Sequence, residues 1–290
     1  MNKRLSSDLT LLLVAFIWGS AFVVQRIAVA GLGTFLFNGL RFLLGALVLL
    51  PFINYREKVT RRQLGWIAIA GALLVTASSL QQAGLRYTTA ANAGFITGFY
   101  VVLIPIIQAL FFKRRPPFYV WVCAGVAFLG IYFLSTAGSL TFNRGDFLEL
   151  IGAVFWALHV LVISGAVKET PIPIFSAGQY LICGAVSLFL GLIIEGNLTV
   201  NIPELGWTVI YAGILSVGIA YTLQSTAQKH SPPADAAIIL SMEAVFAAIF
   251  GYFWIGEQLS PVQLMGCILI FAAMIAVQII SVRVPEPAQT

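Results

Sequence analysis

Three titratable side chains stand inside long apolar runs: Arg41, His159 and Glu243. A charge at the centre of a spanning helix costs at least about 2.5–3.5 kcal/mol on insertion scales, so it must face a cavity, a partner or another helix. Glu243 lies ten residues into its run and shares a helical face with Ile239, Phe246, Ala247 and Phe250. Such an acid can carry a proton or bind a substrate amine; it can equally be a buried acid bonded to a neighbouring helix for structure. Arg41, with Asn38 and Gly45 on its face, keeps its charge and needs an anion or a cavity. It can grip a substrate carboxylate, pair with Glu243, or reach toward the nearer surface. His159, one turn beyond Phe155 and Trp156, can relay a proton or bond a nearby carbonyl. Amides and hydroxyls can complete a polar site: Gln25, Gln81, Gln82, Asn92, Gln179, Tyr180 and Gln224. Each of these amides can also serve only to bond helix to helix. Trp18, Tyr100 and Trp156 add flat apolar surface with a polar handle.

These residues need elements to hold them, and composition says what those elements are. The chain has 290 residues, 60% hydrophobic and 9% charged, against about 25% charged in an average soluble domain. Apolar runs of about 20 residues, enough to cross a hydrocarbon core of roughly 30 Å, predict ten helical spans: 9–29, 34–54, 63–84, 89–112, 117–136, 146–166, 173–194, 204–226, 233–254 and 261–281. Proline marks many of the borders, while Pro105 falls inside the fourth span and predicts a kink or break there. The tails, 1–8 and 282–290, read as short and mobile. Of sixteen Lys and Arg, twelve fall on the side of the N-terminus, three on the other side, and Arg41 within a span. That bias predicts both termini in the cytoplasm.

The spans repeat. Asp8 and Trp18 of the first recur 138 positions later as Asp146 and Trp156 of the sixth. Leu64-Gly65-Trp66 opens the third and Leu205-Gly206-Trp207 the eighth, while Gln81 and Arg86 match Gln224 and Lys229. Ala91-Asn92-Ala93 stands where Ala234-Asp235-Ala236 stands, and Tyr100 is the counterpart of Glu243. The fold class is therefore an all-α polytopic membrane protein, with repeats over 1–137 and 138–290. Five spans per repeat is an odd number, so the halves enter the membrane in opposite senses. That inverted pseudosymmetry builds two similar gates around a central cavity in many transporters. Gly94 and Gly98, echoed by Ala237 and Ser241, form small faces for close helix contact.

At these residues the chain resembles the EamA-type members of the drug/metabolite transporter superfamily. The resemblance rests on Trp18-Gly19-Ser20, on Ala91-Asn92-Ala93 and Ala234-Asp235-Ala236, and on Gly256-Glu257-Gln258-Leu259-Ser260 followed by Gln263-Leu264-Met265-Gly266. It covers nearly the whole chain. It implies a ten-helix, basket-like fold around a central cavity and the transport, often export, of amino acids and other small metabolites. The family pattern places a proline in the middle of the ninth span, near Glu243-Ala244-Val245, where this chain has none.

Other classes have less behind them. The formal charge of +5 reflects loop residues that set topology, so no nucleic-acid partner is expected. Cys123, Cys183 and Cys267 lie in separate apolar runs without metal-ligand spacing, and read as packing residues. No phosphate-cradling loop, HExxH or GxSxG is present, so neither a cofactor, a metal nor enzymatic activity is expected. Asn197-Leu198-Thr199 fits a glycosylation acceptor, a pattern common by chance. The sequence predicts a secondary transporter in the plasma (inner) membrane, a monomer or weak dimer among lipids. It would move a small polar metabolite, with Glu243 and His159 as candidates for proton coupling. A membrane enzyme or lipid flippase, and a non-transporting receptor or assembly subunit, are the alternatives.

Overall fold

The computed structural model describes residues 3–112, 116–136, 143–196, 202–256, 258 and 260–283. The basic run 113–115, the acceptor motif at 197–199, and Glu257 and Leu259 of the family pattern lie outside these residues. The described chain forms α1 (Lys3–Ala28), α2 (Thr34–Leu49), α3 (Arg61–Gly84), α4 (Ala90–Thr97), α5 (Tyr100–Phe111), α6 (Phe118–Thr136) and α7 (Arg144–Ala166). It continues with α8 (Ile172–Ile194), α9 (Ile202–Tyr211), α10 (Thr222–Ala227), α11 (Pro233–Leu240), α12 (Met242–Ile255) and α13 (Pro261–Arg283). Eight segments are long and apolar enough to cross a membrane, and two shorter apolar helices, Phe118–Phe133 and Pro261–Val277, take the fifth and tenth places. The ten expected spans are therefore present. Polar side chains start several of them: Thr60 and Gln63 cap α3 reciprocally, as Asn143 and Asp146 cap α7.

Two spans are broken, and neither break sits at a proline. The fourth is split into α4 and α5 at Gly98–Phe99, while α5 runs on through Pro105. Proline removes the donor for the carbonyl four residues back and crowds the preceding turn. The adjustment is taken up earlier, where Phe99 N–H, Val101 N–H and Val102 N–H bond three residues back, at 3.1, 3.0 and 3.0 Å. Gly98, which has no side chain to resist the tightening, sits at that point. The ninth span breaks at Ser241 without any proline. There the Ser241 hydroxyl donates to the Ile238 carbonyl at 2.7 Å, a back-bond that bends helices, and the Ala244 N–H reaches only to Ser241 O, 3.1 Å away.

The eighth span carries a third irregularity, a π-helix over Ala212–Tyr221 between α9 and α10. Its cause is legible in the repeat. Trp66 and Trp207 are 141 positions apart, whereas Gln81 and Gln224 are 143 apart. The second repeat thus holds two more residues than the first in the same length of span, and a wider helix absorbs them.

The packing obeys a pseudo-twofold axis. α2 lies chiefly on α8, and α6 on α13, each element against its own counterpart. α3 packs on α7 as the eighth span packs on α1, and α4–α5 lie on α7 as α11–α12 lie on α1. Such exchange of partners is what an isologous arrangement requires. The first residues do not form a loose tail. Lys3–Asp8 are the opening turns of α1, with Asp8 fully buried. Arg4 Nη2 contacts Asp235 Oδ2 at 2.6 Å and Arg4 Nε contacts Asp8 at 3.0 Å, while the Ser231 hydroxyl donates to Asp8 at 3.2 Å. On the opposite face the counterparts repeat this last bond, Thr88 donating to Asp146 at 2.6 Å.

α1 packs closely on α12 at Gly19. A Cβ added at Gly19 would meet Ala247 N at 2.8 Å and Glu243 O at 2.9 Å, both backbone atoms that cannot swing aside. Overpacking of this kind costs about 1–3 kcal/mol. Gly19→Ala is expected to lower the apparent Tm of the detergent-purified protein by about 5 °C. Gly125→Ala, which meets nothing within 4 Å, should leave it in place; equal melting of the two variants would refute the contact.

Candidate functional site

The three irregular spans converge around a small hollow of about 30 Å³. One helical stripe of α1 supplies Trp18, Phe22 and Gln25, and α2 supplies Arg41. Gln81 comes from α3, Thr97 and Tyr100 flank the break in the fourth span, and Leu240 and Glu243 flank the break in the ninth. Trp156, His159 and Val160 come from α7, and Ser216, Tyr221 and Gln224 from the π segment and α10. Broken helices place side chains here that a straight helix would carry past.

Arg41 is 1% exposed. Its Nε donates to Asn38 Oδ1 at 3.0 Å and its Nη1 to Gln25 Oε1 at 2.8 Å. The rings of Phe37 and Phe42 lie 5.2 and 4.9 Å from the guanidinium carbon, close enough for cation–π attraction. Among the described residues no carboxylate is within ion-pair distance of it, and Nη2 has no hydrogen-bond partner. A buried cation supported by neutral amides and aromatic faces still carries a full positive charge. Glu243, 3% exposed, accepts a 2.9 Å hydrogen bond from the Tyr100 hydroxyl. These two residues are repeat counterparts, so the pseudo-twofold axis runs between them.

An aromatic cage stands beside the charges. Tyr221 is tilted against Trp18 with centroids 4.5 Å apart, stacked on Trp156 at 6.0 Å and edge-on to His159 at 6.1 Å. The Trp18 indole N–H donates to the Ser216 carbonyl in the π-helix at 3.2 Å. His159 Nε2 is 2.8 Å from Gln179 Oε1. The Trp156 indole N–H, Gln224 Oε1 and His159 Nδ1 have no partner among the described residues.

Nine of the thirteen residues singled out from sequence line the hollow: Trp18, Gln25, Arg41, Gln81, Tyr100, Trp156, His159, Gln224 and Glu243. Four do not. Gln82 donates to the Gln25 carbonyl at 3.4 Å. Gln179 stands behind His159 and holds its ring. Tyr180 is buried beside Phe42 and Tyr221 and bonds the Thr222 hydroxyl at 3.2 Å. Asn92 lies in the first turn of α4, where Thr89 caps its N–H at 3.1 Å. Conversely, Tyr221 at the centre of the cage went unselected, although it precedes Gln224 by three residues and so shares its face. Glu149 is a further buried acid, fully buried in α7, with Oε2 accepting from Thr97 at 3.2 Å and Oε1 unpartnered among the described residues. Through Thr97, which also accepts from Gln81 Nε2 at 3.1 Å, it supports the wall of the hollow.

Comparison with known proteins agrees with this architecture. The model of the EamA-like transporter family matches twice, at residues 5–136 and 143–278. An uncharacterized transporter of Archaeoglobus fulgidus is 38% identical over 97% of this chain and 88% of its own length. The threonine/homoserine exporter RhtA of Escherichia coli is 28% identical over 81% of this chain and 79% of its own. A solved crystal structure superposes with a TM-score of 0.80 at 18% identity, covering 95% of this chain and 99% of that one; at that identity the likeness is one of fold. The relatives with names are transporters, not enzymes.

Proposed function

The chain belongs to the EamA-like transporter family, and from that premise we propose that it is a secondary active transporter that exports an amino acid or a closely related small polar metabolite. The observation that carries this reading is a guanidinium and a titratable acid on separate helices that face one hollow without pairing to each other. Arg41 offers its unpartnered Nη2 to a substrate carboxylate as a charge-assisted donor. Glu243 receives the amine or the coupled proton, and the Trp18–Trp156–Tyr221 cage packs on the side chain. A relative named as a threonine/homoserine exporter supports the amino-acid class. The hollow of about 30 Å³ is smaller than any amino acid. Loading it therefore requires the halves to rock apart at one face and then the other, an alternation to which inverted repeats and broken helices lend themselves. The asymmetry of basic residues supports cytoplasmic termini in the inner membrane, and a monomer would suffice because every residue of the hollow comes from one chain.

The test is counterflow in proteoliposomes loaded with unlabelled amino acids, with labelled L-threonine outside. Saturable exchange is expected for L-threonine or another zwitterion, with no competition from the corresponding amine that lacks a carboxylate. Exchange of no amino acid, together with scrambling of labelled phospholipid, would replace this reading with a flippase.

A further inference from the structure

A second, larger cleft opens at the face that carries the N-terminus. It holds about 360 Å³ between α3, α5, α7 and the segment that follows α10, within the size range of small-molecule sites. Its floor is one helical turn from the central hollow. Gln224 and Val160 line the hollow, and Gln228 and Ser164, four residues further along the same two elements, line the cleft. Gln228 forms the partition: its Nε2 donates to the Val160 carbonyl at 3.1 Å and to the Ser164 hydroxyl at 2.9 Å, tying the end of α10 to α7.

The chemistry of the cleft is specific. Gln108 and Gln228 are 7% and 2% exposed, both line it, and the Oε1 of each has no hydrogen-bond partner among the described residues. Buried amide oxygens without a donor call for one, since leaving them unmet costs about 1–3 kcal/mol. They suit an ammonium or hydroxyl group. Lys229 and His230 lie exposed at the mouth, and Lys168 lines the cleft as well; this basic rim suits a carboxylate. The acceptors are buried and the lysines exposed, so a zwitterion would enter amine first.

We propose that this cleft is a second substrate site, an antechamber that holds a small amino acid on the N-terminal side of the Gln228 partition, separate from the central hollow. The inference rests on the amino-acid reading given above but assigns a different set of residues. Substrate occupies the cleft before or after the partition moves, according to the direction of transport. Two molecules can be bound at once when the halves have opened the hollow, because the two sites use different residues.

Binding stoichiometry tests it, with L-threonine as the probe and the full chain in nanodiscs. The wild type is expected to bind two equivalents. Arg41→Gln should remove one and leave the other, and the double variant Gln108→Leu/Lys229→Gln should weaken the remaining one by about tenfold, the loss of one charge-assisted contact. The double variant should keep the Arg41-dependent equivalent, which also shows that it is folded. A single equivalent, removed by Arg41→Gln and indifferent to the double variant, would overturn the antechamber while leaving the transporter reading intact. Binding that is absent in the wild type would overturn both for this amino acid. Two equivalents that both survive the double variant unweakened would place the second molecule elsewhere and equally end the proposal.

Discussion

Arg41→Gln is expected to abolish saturable transport while leaving the protein folded. Removing a buried, hydrogen-bonded charge from a ligand contact costs about 2–5 kcal/mol, at least about a thirtyfold loss in apparent affinity. Stability should move the other way or not at all. The guanidinium is buried without a carboxylate among the described residues, and replacing an uncompensated buried charge by a neutral amide relieves desolvation. The measurement is therefore a pair: counterflow for function and apparent Tm for the fold. Arg41→Lys separates charge from shape. Lysine keeps the charge but lacks the planar fork that meets Asn38 and Gln25 together and still leaves Nη2 unpartnered. It should lose about tenfold in affinity rather than recover wild-type behaviour. A large fall in Tm for Arg41→Gln, with unchanged affinity in the folded fraction, would assign Arg41 to structure alone.

Glu243→Gln is expected to separate exchange from accumulation. Glutamine is nearly isosteric and keeps an oxygen for the 2.9 Å bond from Tyr100, so the hollow should retain its shape and counterflow should continue. What glutamine lacks is the ability to gain and lose a proton. If Glu243 carries one proton per cycle, a gradient of one pH unit can drive about tenfold accumulation, since one unit equals about 1.4 kcal/mol. The variant should reach a ratio of one under the same gradient. Tyr100→Phe removes the donor but not the acid, and should slow coupled transport without erasing its pH dependence. Accumulation by Glu243→Gln equal to the wild type would remove the acid from the coupling step, and loss of counterflow as well would assign it to amine binding.

The candidate hollow was partly legible residue by residue. Arg41, His159 and Glu243 identify themselves because a polar group in hydrocarbon is expensive enough to be rare, so each points to an interior. Gln179 and Tyr180 sit in equally apolar surroundings, and their sequence does not distinguish a wall residue from one that stands behind it. Glu149 lies a single turn inside its span, where an acid can also reach the interface, and only its complete burial against Thr97 separates the two cases. Tyr221 is a common aromatic in a common place until the π-helix turns it into the cage.

By itself the sequence determined the ten spans, their pairing into two halves and the opposed direction of those halves. Length against hydrocarbon thickness, and the parity of five, leave little freedom in these matters. Tertiary structure alone decided which side chains meet. Arg41 turns to Gln25 and Asn38 rather than to Glu243, and the ninth span bends at a serine where a proline was absent. Tyr100 and Glu243, matched across 143 positions, bond each other. The physical reason is that burial in lipid acts on each helix separately and can be read locally. The direction of a buried polar group depends on which neighbours from distant spans arrive within about 3 Å of it, and packing fixes that.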